Sequence, residues 1–224
     1  MDEEIKAQIG NISPEPIGIF VLPDKKHLRY KELIQNIFNK APIEYRRIHK
    51  HEPFAEHICN KKEQNAFVDF PELIELQKDI EDISLKYIKF IGYMCEELII
   101  NSAWINNSKK GAKLEYHYHT NSYISGNYFV NFDKNKHSRL NFRNDRHHQI
   151  APRIQAMQLE PTEKQTMYND PFVGIDSTEG QIILWRSHMS HGYHQINQAD
   201  DRLTFSFNAM PRNLSNGAYS FVVS

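Results

Sequence analysis

From residue 98 to the C-terminus the chain consists of short apolar or alternating runs, and this texture constrains the fold more than any other feature. Polar and turn-forming residues separate the runs, and no helical pattern lies between them. Short strands at such spacing favour a sandwich or jelly roll over a parallel sheet with helical crossovers. The predicted strands are 98–105, 113–119, 123–132, 138–142, 181–185, 202–208 and 219–223.

The first part of the chain has a different pattern. An apolar run between prolines at 16–23 indicates one strand, and apolar residues at helical spacing predict a helix over 27–40, which Pro42 would end. A second, stronger helix begins at Pro71, and residues 43–70 look polar and irregular. We therefore expect a mainly β fold with N-terminal helices (α+β), in which residues 1–97 supply a strand and supporting helices and 98–224 form the core of a single structural unit.

Composition excludes several classes of partner. Twenty-seven basic and 28 acidic residues give a net charge of −1, so nucleic acid and anionic membranes are not indicated. No window approaches the roughly 18 apolar residues of a membrane span, and the first residues do not have the pattern of a signal peptide. We expect a cytoplasmic protein in which Cys59 and Cys95 are reduced thiols. A homodimer is compatible with base rates alone.

Two histidines on one predicted strand are the strongest chemical signal. His117 and His119 are two residues apart, so on a strand both point to one face while Tyr118 points to the other. Alone, such a pair fits a surface site as well as a metal site. His191, after the predicted strand 181–185, could supply a third ligand and leave coordination positions open, as in non-haem Fe(II) oxygenases.

A cationic side chain follows at the start of a later strand. Arg202 lies eleven residues after His191, and its guanidinium can pair bidentately with a carboxylate. Thr204 is two residues further and on the same face of the predicted strand. This pair would suit the distal carboxylate of 2-oxoglutarate.

Three motifs in order resemble the 2-oxoglutarate/Fe(II)-dependent oxygenase superfamily, and specifically prolyl-hydroxylase-like proteins of marine bacteria and phages. His-Tyr-His-Thr-Asn-Ser-Tyr-Ile-Ser-Gly-Asn-Tyr-Phe at 117–129 is similar to that family's His-x-His-x-x-Ser-x-x-Ser-Gly-x-Tyr-Tyr. Residues 180–191 and 202–208 are similar to its Gly-x-Leu-x-Leu-Phe-Pro-Ser-x-x-x-His and Arg-Ile-Ser-Ile-Ser-Phe-Asn, and 140–144 lies near Leu-x-Phe-x-Asp-Pro-Arg. The resemblance covers about the last 125 residues. It implies a double-stranded β-helix.

The resemblance also implies roles for single residues. His117 and His191 would ligate iron, Arg202 and Thr204 would anchor the cosubstrate, and Tyr128 would line the cosubstrate pocket. His119 stands where the superfamily usually has a carboxylate, so the site would have three histidines unless Glu115 or water replaces it. We expect Asn121 and Arg143 to contact the substrate and Asn141 to form structural hydrogen bonds. His188 and His194 are expected in the pocket wall or at the surface, and Trp185 in the core. His147 and His148 are expected to face solvent.

The implied activity is a dioxygenase that uses Fe(II), 2-oxoglutarate and dioxygen to hydroxylate an amino acid, a peptide residue or a small metabolite. The long polar segment 144–179 would cover the pocket. Two alternatives remain at this stage. One is a cupin-type three-histidine dioxygenase that needs no cosubstrate, and the other is a non-catalytic jelly-roll module that holds a structural metal or none.

Overall fold

The computed structural model describes residues 15–48, 52, 54–60, 62, 64–143, 170, 172–193, 195–215 and 220–223. Within them, short 3₁₀ turns occur at Ile43–Tyr45 and Pro71–Leu73. The helices are α1 (Asp24–Lys40), α2 (Ala66–Asp69) and α3 (Ile74–Phe90). The strands are β1 (Ile17–Val21), β2 (Arg46–Ile48), β3 (Ala55–Ile58), β4 (Leu98–Ser108), β5 (Ile124–Asn131), β6 (Asn141–Arg143), β7 (Phe172–Gly174), β8 (Gln181–Arg186), β9 (His191–Gly192), β10 (Arg202–Pro211), β11 (Asn213–Ser215) and β12 (Ser220–Val222).

Most strands of the described chain form one large antiparallel sheet, here the major sheet. Its seven strands run in the order β1-β8-β5-β10-β4-β3-β2. A minor sheet has the order β7-β6-β9, and β11 pairs with β12 as a separate hairpin. Apart from the consecutive strands β2, β3 and β4, neighbours in the major sheet are far apart in sequence, as expected for a jelly roll rather than a simple meander.

The register of the major sheet separates its residues into two faces. Ile58, Ile105, Phe205, Tyr128 and Ile182 are cross-strand partners in one row across five strands. All five are buried in the main apolar core. Because successive side chains alternate, the flanking rows point to the opposite face. We call the apolar side the outer face and the other side the inner face.

The two long helices cover the outer face. Tyr30 and Ile34 of α1 and Leu76 and Ile80 of α3 are fully buried in the same core as the outer-face row. Helix α1 packs on β5, and α3 packs on β4. No helix among the described residues has both the length and the apolar character that crossing a bilayer requires.

The inner face meets the minor sheet across a second, smaller core. Phe129, Ile183 and Trp185 of the major sheet pack with Phe142 of the minor sheet, and Phe132 and Leu140 complete the cluster. This cluster fills one side of the space between the sheets. The remaining space contains the site described below.

Several predicted elements agree with the structure, and two expectations are corrected. Both long helices and the strand over 17–21 are present, although the chain enters α3 through the 3₁₀ turn at Pro71. Residues 43–70 are not irregular, because β2, β3 and α2 lie there. Residues 113–119 are not a regular strand, since their only β-pairing among the described residues is a single bridge between His117 and His191. The division of the chain at residue 97 stays a prediction.

Candidate metal centre

Two extended segments bring the three histidines together. The His117 N–H donates to the His191 carbonyl at 3.0 Å, and the His191 N–H donates back to the His117 carbonyl at 2.9 Å. The His119 N–H donates to the Ser187 carbonyl, which extends the pairing in the antiparallel direction. Tyr118 is exposed, so His117 and His119 point to the same side, as alternation predicts.

The three imidazoles form a compact group. Each offers one ring nitrogen, and these nitrogens lie within 4.8 Å of one another. The ring centroids are 4.4 Å apart for His117 and His191, 5.1 Å for His117 and His119, and 5.3 Å for His119 and His191. Within the described residues, this is the one group of three or more potential metal ligands, and Glu115 is not part of it.

Backbone carbonyls fix the orientation of two rings. His117 Nδ1 is 2.9 Å from the Glu115 carbonyl, and His191 Nδ1 is 2.9 Å from the Met189 carbonyl. A carbonyl only accepts, so each Nδ1 carries the proton. In the neutral ring this leaves the Nε2 lone pair for the group. Metal-ligating histidines are held in the same way by their second nitrogen.

Burial favours the neutral form of the rings. Burial, together with the charge on His117, lowers the pKa of His119 to about 4. The same two causes hold the pKa of His191 well below its ordinary value. Both rings are therefore uncharged at neutral pH, as metal ligands must be. Neutral imidazoles suit Fe(II) among other divalent ions, so the residues present fit an iron site.

Arg202 is fully buried near this group. Its Nε donates to the Ser138 carbonyl at 3.1 Å, and its Nη1 donates to the Tyr193 hydroxyl at 2.6 Å. The guanidinium also stacks 4.1 Å from the centre of the Tyr193 ring. Two polar atoms at this place, Arg202 Nη2 and Thr204 Oγ1, are buried without a hydrogen-bond partner among the described residues. Leaving a buried donor unpaired costs about 1–3 kcal/mol, more if it is charged, so a carboxylate here would be strongly favoured.

A buried carboxylate not identified from the sequence lies beside this arginine. Glu52 accepts hydrogen bonds from His57 Nε2 at 3.0 Å, from Asn106 Nδ2 at 3.2 Å and from Ser108 Oγ at 3.1 Å. Burial alone would raise its pKa, but the hydrogen bond and charge of His57, the bond from Asn106 and the charge of Arg202 outweigh burial and lower the pKa. Glu52 is thus ionised at neutral pH, and its negative charge lies near the positive charge of Arg202.

The histidines open into a cavity of about 430 Å³ between the sheets. Aromatic rings connect the cavity wall to the three histidines. The ring centroid of Trp104 lies 6.2 Å from that of His119 and 6.4 Å from that of His57, whose ring is parallel to it. Arg202 and Thr204 do not line this cavity; Tyr193, which does, connects it to Arg202. The lining residues include Arg47, Glu52, His57, Gln64, Trp104, Asn106, Glu115, Tyr116, His117, His119, Asn121, Asn127, Trp185, His191, Tyr193, Ser206 and Phe207.

The glycine of the Ser-Gly pair at 125–126 makes room for one wall of the cavity. A Cβ at Gly126 would lie 2.2 Å from Phe207 Cζ and 2.6 Å from Leu184 Cδ2. No side chain fits at such distances without a shift of Phe207. The ring of Phe207 belongs both to the main apolar core and to the cavity wall.

The structure corrects the position expected for Tyr128. It lies on the outer face, in the row of Phe205 and Ile182, and its hydroxyl is 2.7 Å from Nδ1 of His27 in α1. Its neighbours on β5, Asn127 and Ser125, line the cavity instead. Tyr128 therefore supports the contact between sheet and helix and does not line the cosubstrate pocket.

Other predicted residues fall in different places. Asn121 lines the cavity, whereas Arg143 does not and lies over the Tyr116 ring at 5.8 Å. Trp185 is buried in the smaller core, 4.7 Å from the His191 ring, and His188 is exposed beside Glu15. Asn141 donates to the Arg139 carbonyl. His147, His148, His194 and most of the segment 144–179 lie outside the described residues.

Comparison with known proteins now bears on this site. Residues 102–208 match the model of a family described as "Putative 2OG-Fe(II) oxygenase". The matched part begins in β4, ends in β10, and contains the three histidines, Arg202 and Thr204. No curated protein matches the chain in sequence.

Solved structures are similar in fold. A prolyl-4-hydroxylase of Pseudomonas putida has a TM-score of 0.55 and 10% identity, over 88% of this chain and 94% of that one. HygX of Streptomyces hygroscopicus, with nickel, 2-oxoglutarate and hygromycin B bound, has a TM-score of 0.58 and 10% identity, over 88% of this chain and 83% of that one. The epimerase SnoN from nogalamycin biosynthesis has a TM-score of 0.61 and 10% identity, over 89% of this chain and 77% of that one. Such identities show the fold alone, which confirms the predicted double-stranded β-helix. The family match over residues 102–208 is the finding that points to the 2-oxoglutarate/Fe(II) oxygenase superfamily.

Proposed function

We propose that this chain is a 2-oxoglutarate- and Fe(II)-dependent dioxygenase of the prolyl-hydroxylase-like kind, and that it hydroxylates its substrate. The observation that carries the proposal is the pair of unpartnered polar atoms, Arg202 Nη2 and Thr204 Oγ1, buried in the same part of the fold as the three histidines. A cosubstrate-independent cupin-type dioxygenase gives no reason for an arginine buried with a free donor. A ligand carboxylate gives one, because it would accept from both atoms.

The histidines and the arginine have separate roles, one in metal binding and the other in cosubstrate binding. His117, His119 and His191 would hold Fe(II), which when bound would activate dioxygen in the presence of 2-oxoglutarate at coordination positions that the protein leaves open. Arg202 and Thr204 would bind the distal carboxylate of 2-oxoglutarate. Tyr193 holds the guanidinium of Arg202 in place. It is two residues after His191, so in extended backbone the Cα atoms of the two residues are about 7 Å apart.

The charges in the cavity balance when the ligands are all histidines. Fe(II) brings two positive charges and 2-oxoglutarate two negative ones, so together with neutral imidazoles the centre has no net charge. Glu52 in the cavity wall and Arg202 behind it form a second pair of opposite charges. Uncompensated charge in a buried site is costly, so this balance explains why a histidine at position 119 is compatible with the chemistry.

The remaining cavity residues would orient the substrate and exclude water. Trp104 and Trp185 border the histidines with aromatic surface. A dry, shaped cavity directs the oxidation to the substrate rather than to the protein. We propose that the substrate is an amino acid, a peptide residue or a small metabolite. The fold also occurs in an epimerase, so the product must be analysed directly.

An anaerobic titration tests the cofactor assignment. Apo-protein is titrated with Fe(II) and then with 2-oxoglutarate, and the visible metal-to-ligand charge-transfer band is recorded. We expect the band in the wild type and its loss in His191→Ala, because an incomplete ligand set cannot hold the chelated iron. His188→Ala is the matched control, since His188 is exposed and outside the group, and it should keep the band.

Thr204→Val then tests the anchor with little change of shape. Loss of the buried hydroxyl should weaken 2-oxoglutarate binding about tenfold while Fe(II) still binds, because one hydrogen bond to a carboxylate is lost. Arg202→Ala should abolish succinate formation. Iron binding without the band, and oxidation without 2-oxoglutarate, would instead favour the cupin-type dioxygenase. Absence of iron binding would favour the non-catalytic module.

A further inference from the structure

A second arginine in the cavity stands apart from the cosubstrate anchor. Arg47 is in β2 at the edge of the major sheet, and its cross-strand partner is His57. Both side chains line the cavity. His57 is opposite Asn106, which is opposite Thr204, so Arg47 extends the inner-face row by two strands beyond Asn106.

Arg47 contrasts with the arginine next to it. Arg46 points away from the cavity, where its guanidinium is bonded to the carbonyls of Phe38 and Ala41 and to the Glu56 carboxylate. Arg47 has no ion pair among the described residues, and its Nε is buried without a hydrogen-bond partner. The two neighbours thus differ in function as well as in direction. Arg46 connects β2 to the C-terminal end of α1 and to β3 by hydrogen bonds. The guanidinium of Arg47 forms no ion pair with any described residue.

The acidic residues of the cavity do not neutralise Arg47. Glu52 is held by His57, Asn106 and Ser108 and faces the charge of Arg202. Glu115 is exposed and has contacts of its own. A guanidinium presents a planar fork of donors that matches a carboxylate. Its chemistry therefore indicates an anionic ligand group.

Distance places such a ligand between Arg47 and the metal centre. β2 and β4 are two strand spacings apart, about 10 Å. Trp104 of β4 is on the inner face, and its ring centroid lies 6.4 Å from that of His57 and 6.2 Å from that of His119. A molecule bound to Arg47 by a carboxylate would lie across Trp104 and present its other end to the histidines. The cavity of about 430 Å³ suits a small molecule of that length.

We propose that Arg47 is the anchor for the substrate, and that the substrate is a small molecule with a free carboxylate. This inference rests on the proposed function for the reaction itself, but the binding of the acid does not depend on turnover. It favours free amino acids and other small carboxylic acids over a residue within a peptide chain. Such a residue has no main-chain carboxylate unless it is terminal.

The test uses pairs of probes that differ only in charge. The twenty common L-amino acids as N-acetyl acids, and the same compounds as carboxamides, are assayed for binding to the protein with Ni(II) and 2-oxoglutarate, by calorimetry. We expect at least one acid to bind, its amide to bind at least tenfold more weakly, and Arg47→Gln to remove this difference. Arg47→Lys should restore part of it.

Controls separate this inference from the proposed function. Arg139→Gln changes an exposed, ion-paired arginine and should bind the acid like the wild type. The charge-transfer titration with 2-oxoglutarate should be unchanged in Arg47→Gln; weaker cosubstrate binding there would overturn the proposal. It is also overturned if no acid binds, or if Arg47→Gln binds acid and amide as the wild type does. Should the wild type give no charge-transfer band, acid binding without 2-oxoglutarate still tests Arg47.

Discussion

The outer and inner faces of the major sheet are made by the same strands, yet they are built from different chemistry. The outer row Ile58–Ile105–Phe205–Tyr128–Ile182 is apolar apart from one hydroxyl and packs on helices. One residue further along each strand, the inner row contains His57, Asn106 and Thr204 and faces the cavity. Alternation lets one sheet supply both a core and a site, so stability and binding can be altered separately.

The largest effect should come from the outer face. Phe205→Ala removes a fully buried ring that packs 5.0 Å from Phe67, and it should lower the free energy of unfolding by about 3–5 kcal/mol. Denaturant titration measures this change. Cosubstrate affinity of the folded protein should be unchanged. Phe90→Ala, at an exposed ring, should stay within about 0.5 kcal/mol of the wild type. Loss of 2-oxoglutarate binding in Phe205→Ala would contradict the separation of the faces.

A smaller and pH-dependent effect is expected on the inner face. Glu52→Gln should cost about 2 kcal/mol at neutral pH, because the hydrogen bonds from His57 and Asn106 lose a charged acceptor. The folded pKa of Glu52 is below its ordinary value of 4.5, so its contribution is complete above that value and is lost as the pH falls through the folded pKa.

The free energy of unfolding, measured from pH 7 to pH 3, reports the contribution of the Glu52 carboxylate to stability. The difference between the wild type and Glu52→Gln should be constant down to about pH 4.5 and shrink below it. Glu56→Gln, which changes a partly exposed carboxylate of β3 that is paired with Arg46, should show a change of at most about 1 kcal/mol. A difference that grows towards acid pH would show that Glu52 is protonated in the folded protein.

The smallest effect concerns the one hydroxyl in the outer row. Tyr128→Phe removes the bond to His27 and should cost about 1 kcal/mol. Binding of 2-oxoglutarate should not change, because the hydroxyl faces α1 and not the cavity. Tyr118→Phe, at an exposed position, serves as the control. Weaker cosubstrate binding in Tyr128→Phe would restore the role that the sequence suggested for Tyr128.

The sequence was sufficient where the pattern is local. The i, i+2 spacing of His117 and His119 predicted that both point to one side, and the structure places them with His191. Both long helices and the strands β4, β5, β8 and β10 also follow from periodicity, whereas the short strands β7, β9 and β11 were not predicted. Segment 113–119 was expected as a strand for the same reason, but its backbone pairs only at one bridge.

The sequence was insufficient where direction depends on tertiary contacts. All residues of β5 except Asn131 are buried, so no alternation of polar and apolar residues reveals which face Tyr128 occupies. β2 and β3 are three and four residues long and rich in charge, so they do not look like strands. Glu52 reaches its partners Asn106 and Ser108 from more than fifty positions away, and no local pattern encodes such a contact.

Gly126 gives the cavity an evolutionary constraint. Because a single methyl group there would press on Phe207, any substitution at 126 is also a change in the wall of the cavity. The two positions cannot change independently, because alanine at 126 requires a shift of Leu184 and either a shift of Phe207 or a smaller side chain at 207. A descendant with both changes would have a cavity of a different shape, so this pair offers a route by which related enzymes could diverge in substrate.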